Sequence, residues 1–382
     1  MTAPGGAPSL GPVAPIPLTV LTGFLGAGKT TLLNRLVSDP ALSDTAVLIN
    51  EFGEIGLDHL LVEQVRDEGL VMLTTGCLCC TMRGDLVTAL EKLLRELDNG
   101  RAAFRRVIVE TTGLADPAPV LHTTMVHPYL LLRFRLDGVV TVIDAVNAMA
   151  TLDAHPESIK QAAVADRLVL TKTDLIETAD QRAALDALTA RLSALNPAAP
   201  RLDAASGEAI PARLLDCGLY DPATKTPDVR RWLAAEAYAG DDHRHRHAHV
   251  HDVNRHDDDI RAFSLATEAA LPASAFDMFL ELLRSVHGPD LLRLKGVVKI
   301  SEEPDTPLVI HGVQHLLHPP ARLPRWPDED RRTRLVFIVR TAAAPKIKEL
   351  FQAFLSAAAP DRPDRVALVD NPLAPFGGAD HR

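Results

Sequence analysis

Runs of apolar residues alternate with amphipathic helical segments through the first half of this chain. The runs are LTVLT, AVLIN, VMLT, RVIVE, VVTVID and RLVLT, and each is nearly continuous in apolar side chains. Strands of that composition are covered on both faces, as they are in parallel sheets. The segments between them, such as TTLLNRLV, GDLVTALEKLLRELD and ADQRAALDALTARLSAL, carry apolar side chains at helical spacing. The alternation predicts the α/β class, with a doubly wound, mostly parallel sheet.

The pattern predicts two folded domains joined by a polar linker. The alternation fades after about Trp232 and is followed by DDHRHRHAHVHDVNRHDDD, which has no apolar face. Beyond it, the strands IRAFSLAT, LLRLKGVVKI, LVIHGVQHLL and RLVFIVR and two amphipathic helices predict a smaller α+β domain. We therefore assign residues 1–16 to a disordered leader, 17–235 to the first domain, 236–259 to the linker and 260–382 to the C-terminal domain.

Composition excludes several classes of protein. A net charge of -10 and a pI near 5.8 argue against binding of nucleic acid, because contact with phosphates requires a surplus of clustered Lys and Arg. No apolar run is long enough to span a membrane, and no cationic, apolar signal segment opens the chain. The few cysteines do not form the framework of a secreted protein. We expect a cytoplasmic protein that binds neither nucleic acid nor membrane.

The stretch GFLGAGKT fits the phosphate-binding pattern G-x-x-x-x-G-K-[ST] and lies between a predicted strand and a predicted helix. Its glycines let backbone amides curl around phosphates, its lysine places a charge on them, and its threonine hydroxyl can hold magnesium. A glycine-rich β–α turn without function is the alternative. The predicted nucleotide contacts here are Gly23, Gly26, Ala27, Gly28, Lys29, Thr30 and Thr31.

Later strand ends supply further candidate groups. Glu110 ends the run RVIVE and is followed by Gly113, positions where a P-loop protein keeps an acidic group for the metal and an amide for the γ-phosphate. Lys172 and Asp174 follow RLVLT, where the carboxylate can accept hydrogen bonds from guanine and the lysine stem can cover the base. Each alone could lie in a solvated loop, but together they predict a nucleotide site, with Lys29, Thr30 and Glu110 as its catalytic group.

The chain carries three cysteines in one short motif, GCLCCT. Cys77, Cys79 and Cys80 supply thiolates that suit zinc or Cu(I), and they are too few to close a four-ligand structural zinc site. The fourth ligand could be water, a carboxylate such as Glu51 or Glu54, or a group on a partner. A redox switch and buried structural cysteines are the alternatives. The isolated Cys217 is expected to be an ordinary buried residue.

These motifs together resemble the CobW-type P-loop GTPases, relatives of HypB and UreG, from Pro17 to about Arg340. The resemblance is carried by GFLGAGKTT, NEFGEIGLD, GCLCC, ETTGLADP and TKTD, and in the second domain by HGVQHLLHPP and RLVFIVR. It implies a GTPase domain with a smaller C-terminal domain, and hydrolysis of GTP coupled to delivery of zinc, or of cobalt in some members. The implied ligands are GTP or GDP, Mg²⁺ and Zn²⁺, and the implied partner is a metalloprotein client, with a homodimer left open.

Two features of the motifs bear on that resemblance. The family usually has Asn at the first position of TKTD, and Thr171 stands there, so one contact to the base is expected to be lost or replaced by a hydroxyl. The segment NEFGEIGLD follows the second strand, where a P-loop GTPase carries a loop that senses the γ-phosphate. We therefore interpret this segment as the switch between nucleotide state and metal state.

Two groups of histidines remain. The run in the linker is a candidate low-affinity collector of divalent metal, or a solvated linker of biased composition; its members are His243, His245, His247, His249, His251 and His256. The second group, His311, His315 and His318, is interpreted as structural or partner-facing. Competing functions for the whole chain are cobalt delivery for cobalamin synthesis, a metal buffer or regulatory GTP-binding module, and a small-molecule kinase.

Overall fold

The computed structural model of the protein describes residues 15–50, 71–75, 82–216, 260–314, 316–317 and 320–357. They form two sheets with helices packed against them. Within these residues, no helix has both the length and the apolar character needed to cross a bilayer.

The first sheet contains seven parallel strands, as the alternating pattern predicts. The strands are β1 (Ile16–Gly23), β2 (Thr45–Asn50), β3 (Val71–Thr75), β4 (Arg106–Glu110), β5 (Phe134–Asp144), β6 (Arg167–Thr171) and β7 (Arg201–Asp203). The helices are α1 (Lys29–Val37), α2 (Met82–Asp98), α3 (Ala118–Val126), α4 (Pro128–Arg133), α5 (Ala148–Ala154), α6 (Pro156–Ala163), α7 (Ala179–Leu195) and α8 (Pro211–Leu214). Six of these strands coincide with the predicted runs, and the short β7 is an addition.

The order of strands across this sheet is β3-β2-β4-β1-β5-β6-β7. The chain therefore moves to one side of β1 first and to the other side from β5 onward. A doubly wound sheet binds its ligands where the order reverses, at the carboxyl ends of the strands. The ends of β1, β4, β5 and β6 meet at that edge, which is the edge at which the candidate residues were predicted.

Both faces of the sheet are buried, which explains the unbroken apolar runs. Leu18 and Val20 of β1 pack on one face with Leu90 of α2, and all three are fully buried. Leu21 of the same strand packs on the other face with Leu33 of α1. Each fully buried leucine or valine contributes about 1.5–3 kcal/mol relative to exposure. The two apolar layers fix the sheet, and the sheet fixes the position of the loops at its edge.

The C-terminal domain is an antiparallel sheet with two helices, in agreement with the predicted α+β class. Its strands are β8 (Ile260–Thr267), β9 (Leu291–Val298), β10 (Leu308–Val313), β11 (Leu316–Leu317), β12 (Ala321–Arg322) and β13 (Thr333–Arg340), and its helices are α9 (Ala273–His287) and α10 (Ala344–Ala357). The strand order is β11-β10-β9-β13-β8, and β12 also pairs with β10. The core combines aliphatic side chains with five buried phenylalanines, among which Phe263 stacks on Phe337 at 5.1 Å between ring centroids.

One predicted element of this domain is wrong. The segment LVIHGVQHLL reads as one strand, but β10 ends at Val313 and β11 folds back against it, with Gly312 opposite Leu317 and Val313 opposite Leu316. Only Gln314 and His315 connect the two strands. A continuous apolar pattern does not reveal a tight hairpin when neither connecting residue is a glycine, asparagine or aspartate.

The two domains share an apolar cluster and a buried group of charges. Leu292, Val313 and Ile338 of the C-terminal domain pack into the same cluster as the first sheet. Beside them, the carboxylate of Asp166, fully buried, accepts hydrogen bonds from the guanidinium of Arg293 and from Nζ of Lys295 at 2.7 Å. Hydrogen bonds from β9 of the C-terminal domain therefore attach it directly to Asp166, in the turn that precedes β6.

The charges in this cluster shift one another's pKa. Burial alone would raise the pKa of Asp166, but the charges of Arg293, Lys295 and His311 outweigh it and hold that pKa far below its ordinary value. Burial lowers the pKa of Lys295, and Asp166 offsets this only in part. His311, predicted to be structural, is 6% exposed and lies opposite Lys295 in the sheet.

Candidate functional site

The phosphate-binding motif joins β1 directly to α1. Gly28 precedes the helix with φ of 92°, a backbone conformation that residues with a β-carbon rarely adopt. Lys29, the first helical residue, is 8% exposed and donates from Nζ to the carbonyls of Gly23 at 3.0 Å and Phe24 at 3.2 Å. The ammonium group thus lies within the curve of the loop, next to backbone amides at a helix N-terminus. This arrangement suits a bound phosphate.

Two predicted metal ligands meet beside this loop. The hydroxyl of Thr30 donates to Oε1 of Glu110 at 3.0 Å, although the two residues are 80 positions apart in the sequence. Glu110 is the last residue of β4 and is 4% exposed. A hydroxyl and a carboxylate so placed are the hard oxygen ligands that Mg²⁺ prefers. The chemistry of the pair therefore fits a magnesium ion.

Gly113, which follows β4, lies against the phosphate-binding loop. A β-carbon on Gly113 would lie 2.6 Å from the backbone nitrogen and 2.7 Å from Cα of Leu25. Real β-carbons do not approach so closely, and only glycine fits here without a shift of the loop. The backbone of residue 113 is therefore next to the place where phosphates would bind.

Thr171 contacts the phosphate-binding loop. Its side chain is buried, and its hydroxyl lies 2.7 Å from the carbonyl of Ala27 and 3.2 Å from that of Ile143. A hydroxyl has one proton to donate, and the shorter contact is to the phosphate-binding loop. Thr171 thus ties the end of β6 to that loop. That a contact to the base is lost or replaced by a hydroxyl stays a prediction.

The other residues of the TKTD motif lie at the same edge. Lys172 has φ of 61° and donates from Nζ to Asp144 at 2.6 Å, while Asp174 is exposed. Burial alone would raise the pKa of Asp144, but hydrogen bonds from Lys172 and Asn147 outweigh it and hold that pKa below its ordinary value. An exposed carboxylate at position 174 can accept the two N–H groups of guanine, whereas adenine offers an acceptor at the corresponding ring nitrogen.

Three functional candidates were missed by the sequence reasoning. Asp144 ends β5 and holds Lys172, and Asp203 ends β7 and accepts the hydroxyl of Thr173 at 2.6 Å. Each is the last residue of a parallel strand, and functional groups in such sheets cluster at the carboxyl ends of the strands, so the same reasoning could have identified them. Gln161, on α6, donates from its amide to the carbonyls of Gly113 and Ala115. No signal in the sequence marks it.

A cavity of 270 Å³ adjoins the phosphate-binding loop on the side of α5 and α6. Phe24 and Leu25 line it from the loop, and Asp144, Gln161 and Lys172 supply polar groups. Phe24 also stacks on His155, with 4.5 Å between ring centroids. The cavity therefore continues the nucleotide edge rather than forming a separate site.

The predicted zinc ligands lie outside the described residues. These are Cys77, Cys79, Cys80, Glu51, Glu54 and the histidines of the linker, His243, His245, His247, His249, His251 and His256. Cys217, His315 and His318, which were not predicted as ligands, also lie outside the described residues. Among the residues that are described, no group of three or more His, Cys, Asp or Glu could hold a metal ion. The strand β3, which ends two residues before Cys77, is part of the parallel sheet next to β2.

Comparisons with known proteins agree with this architecture. The family description "CobW/HypB/UreG, nucleotide-binding domain" matches residues 17–203, and "Cobalamin synthesis protein cobW C-terminal domain" matches residues 260–355. The zinc chaperone YjiA of Escherichia coli (strain K12) is 34% identical over 324 residues, which cover 85% of this chain and 94% of that protein. The zinc chaperone CobW of Sinorhizobium sp is 31% identical, with 85% of this chain and 92% of that protein covered.

A solved structure gives the same result. The crystal structure of Zn(II)-bound YjiA GTPase from E. coli matches with a TM-score of 0.62 at 26% identity, and the match covers 90% of this chain and 99% of that one. The two matched domains, the identity to whole relatives and the shared fold lead to one conclusion. The chain belongs to the CobW/HypB/UreG family of P-loop proteins and carries the C-terminal domain of its CobW branch.

Proposed function

We propose that the protein is a GTP-hydrolysing metallochaperone that binds zinc at Cys77, Cys79 and Cys80 and transfers it to a client protein. The observation that carries the nucleotide half is the contact between Thr30 and Glu110 beside Lys29. The metal half is supported by the thiol motif and by relatives that are named zinc chaperones.

The nucleotide chemistry follows from the groups at the sheet edge. Lys29 neutralises charge that develops on the phosphates, and the amides of the phosphate-binding loop orient them. Thr30 and Glu110 would hold Mg²⁺, which when bound neutralises further charge on the β and γ oxygens. Asp174 selects guanine by accepting its two N–H groups. Positioning and charge neutralisation account for most of the rate in this class of reaction.

The order of strands supports a link between the two halves. In the sheet, β2 lies between β3, which leads into the cysteines, and β4, which ends in Glu110. The segment NEFGEIGLD begins at the end of β2 and therefore starts between the two sites. Three strand spacings separate β3 from β1, which amounts to about 14 Å. The proposal therefore couples nucleotide and zinc through the segment between them rather than by direct contact.

The test is a zinc titration in each nucleotide state. Purified full-length protein is titrated by competition with a chromogenic chelator, once with GDP and once with a non-hydrolysable GTP analogue. We expect affinities that differ at least tenfold, which corresponds to about 1.4 kcal/mol. Equal affinities in the two states would refute nucleotide-dependent transfer.

Matched variants separate the two halves. Replacement of Cys77, Cys79 and Cys80 by serine should abolish tight zinc binding and leave GDP binding unchanged, whereas the control Cys217→Ser should alter neither. Lys29→Ala should abolish phosphate release and retain zinc. A protein that binds zinc but shows no hydrolysis responsive to metal is a buffer, and that result would contradict the proposal.

The identity of the metal is tested in cells. Growth and metal content of a deletion strain under zinc starvation, compared with cobalt or vitamin limitation, distinguish zinc delivery from cobalt delivery. We expect the defect under zinc starvation. The histidines of the linker are proposed to collect metal at low affinity; serine at all of them should lower metal stoichiometry and leave GTP hydrolysis intact.

A further inference from the structure

We propose that Gln314 is a positioning residue through which the C-terminal domain holds the loop after β4 and so favours binding of GTP over GDP. The inference rests on the proposed GTPase function and assigns a role to the HGVQ segment of the second domain. Four sets of contacts support it, and they run from the β10–β11 hairpin to the phosphate-binding loop.

The hairpin conformation at Gln314 is the first observation. Gln314 is the first of two residues that join β10 to β11, and its φ is 53°. The hairpin turns of this length require positive φ at that position and favour glycine, asparagine or aspartate there. A glutamine in this conformation costs free energy. Such local cost points to a function for the side chain.

The side chain of Gln314 crosses the domain boundary. Its amide Nε2 donates to Oδ1 of Asp116 at 3.3 Å, while its backbone N–H donates to the carbonyl of Leu292 at 3.0 Å. The backbone bond fixes the hairpin to β9. The amide therefore approaches Asp116 from a rigid support.

Asp116 connects three elements. Its Oδ1 also accepts from the backbone N–H of Ala118 at 3.0 Å, at the start of α3, and its Oδ2 lies 3.4 Å from Nζ of Lys160 on α6. The pair with Lys160 is partly exposed, so it holds the carboxylate only weakly. The contact with Gln314 adds the one link from this carboxylate to the C-terminal domain among the hydrogen bonds described.

The other end of the same loop meets the phosphate-binding loop. Gln161 is 1% exposed and donates to the carbonyl of Gly113 at 3.2 Å and to that of Ala115 at 3.0 Å. Gly113 in turn lies against Leu25. Residues 113–116 are thus held by α6 and, at Asp116, also by the C-terminal domain, with the backbone of Gly113 beside the predicted γ-phosphate position.

This arrangement gives Gln314 a definite effect. Loss of its amide leaves Asp116 with only Ala118 and the partly exposed Lys160 as partners, so the loop holds Gly113 against the phosphate-binding loop less firmly. GDP has no γ-phosphate to contact Gly113, so its affinity depends little on this support, whereas the affinity for GTP depends on it directly. By reciprocity, binding of GTP must strengthen docking of the hairpin by the same factor.

The test compares Gln314→Glu and Gln314→Gly in the full-length protein. The first places a carboxylate against Asp116 at equal size, and the second removes the side chain while favouring the positive φ. Fluorescent GDP and a fluorescent non-hydrolysable GTP analogue are titrated into each. We expect the ratio of GTP-analogue to GDP affinity to fall about tenfold in both variants, a change of about 1.4 kcal/mol.

Controls distinguish coupling from folding. Gln352→Glu is the same substitution on α10, where residue 352 is exposed, and should leave the ratio unchanged. Gln314→Gly should unfold at the same or a higher temperature than the wild type, so a lower ratio in that variant cannot come from instability. Hydrogen exchange at residues 308–313 should be slower with the GTP analogue than with GDP, and this difference should vanish in both variants.

The outcomes are distinct. A wild type that binds both nucleotides, with ratios in both variants within twofold of it, overturns the role of Gln314 and leaves the proposed function standing. A wild type that binds neither nucleotide overturns the proposed function and this inference together.

Discussion

The buried charges between the domains contribute unequally to the stability of the protein, and single substitutions can measure the difference. Asp166 is fully buried and accepts from Arg293, from Lys295 at 2.7 Å, and from the backbone N–H of Val139 at 3.0 Å. One carboxylate therefore faces two buried cations. Asp166→Asn should cost far more stability than Lys295→Met, although both substitutions remove one charge at nearly constant size.

The magnitudes follow from what each variant leaves behind. Asp166→Asn leaves two cations buried without an anion, and loss of one partner of a buried ion pair costs about 3–5 kcal/mol. Lys295→Met leaves Asp166 paired with Arg293, so the loss is one charged hydrogen bond, about 1.5–3 kcal/mol. Burial lowers the pKa of Lys295 despite its contact with Asp166, so burial of this ammonium group offsets part of what the contact contributes. Its removal should therefore lie at the low end.

Equilibrium unfolding in urea, followed by far-ultraviolet circular dichroism, measures both variants against the wild type. Hydrogen exchange at β6 and β9 shows whether the lost stability appears as separation of the domains or as global unfolding. Arg332→Met, which removes an exposed cation paired with Asp330 at the surface, is the matched control and should cost less than about 1 kcal/mol. A cost for Asp166→Asn no greater than that for Lys295→Met would refute the charge imbalance.

The same cluster predicts the effect of pH. Because the pKa of Asp166 is lowered in the folded state, its contribution is fully present above its unfolded value, about 3.9, and is lost as pH falls through the folded value. Stability from this group should be flat between about pH 5 and 8. The lowered pKa of Lys295 has the same sign in a different window: between its lowered value and about 10.4 the unfolded chain binds more protons, so stability should rise with pH towards about pH 10. Lys295→Met should abolish that rise.

Three further substitutions test the nucleotide edge. Thr171→Val removes the hydroxyl that holds the phosphate-binding loop and should lower the affinities for GDP and GTP alike by about fivefold, with base preference unchanged. In the same fluorescent-nucleotide titrations, Thr171→Ser should bind nearly as tightly as the wild type. Gly113→Ala places a methyl group against Leu25 and should lower phosphate release at least about tenfold, a cost of about 1.4 kcal/mol, with a smaller effect on GDP affinity. Asp144→Asn removes the carboxylate that pairs with Lys172. Because that lysine is partly exposed, solvent weakens the ion pair, and the substitution should lower the free energy of unfolding by only about 0.5–1 kcal/mol, measured by thermal unfolding. A larger loss would show that solvent does not weaken this pair.

The sequence predicted those parts of the fold that leave a local signal. The strands β1, β2, β4, β5 and β6 are buried on both faces, so each appears as an apolar run. The strand β7 has three residues, Arg201–Asp203, and only Leu202 is buried in it, so it leaves no such run. The β10–β11 hairpin was missed for the opposite reason. Its apolar residues continue across the turn, and Gln314 does not have the composition of a turn residue.

In the candidate site, too, the sequence predicted only the residues that have a local signal. Residues of the phosphate-binding loop, Glu110 and Asp174 were found because they follow strands, and parallel strands bring their ends to one edge. Gln161 and Asp166 were missed because their roles depend on side chains that contact backbone or charges far away in the sequence. Helical periodicity marks Gln161 only as a residue on α6, and nothing local indicates that its amide faces Gly113.

The two ends of the nucleotide edge have different supports, and this difference determines what the C-terminal domain can influence. The phosphate-binding loop is held from within the first sheet, by Thr171 on Ala27 and by the pairing of β1 with β4 and β5. The loop that carries Gly113 is held by α6 and by the hairpin of the second domain. A rearrangement of the second domain therefore leaves diphosphate binding nearly constant and acts on discrimination of the γ-phosphate. A domain attached in this way can report on the nucleotide state without contact with the nucleotide.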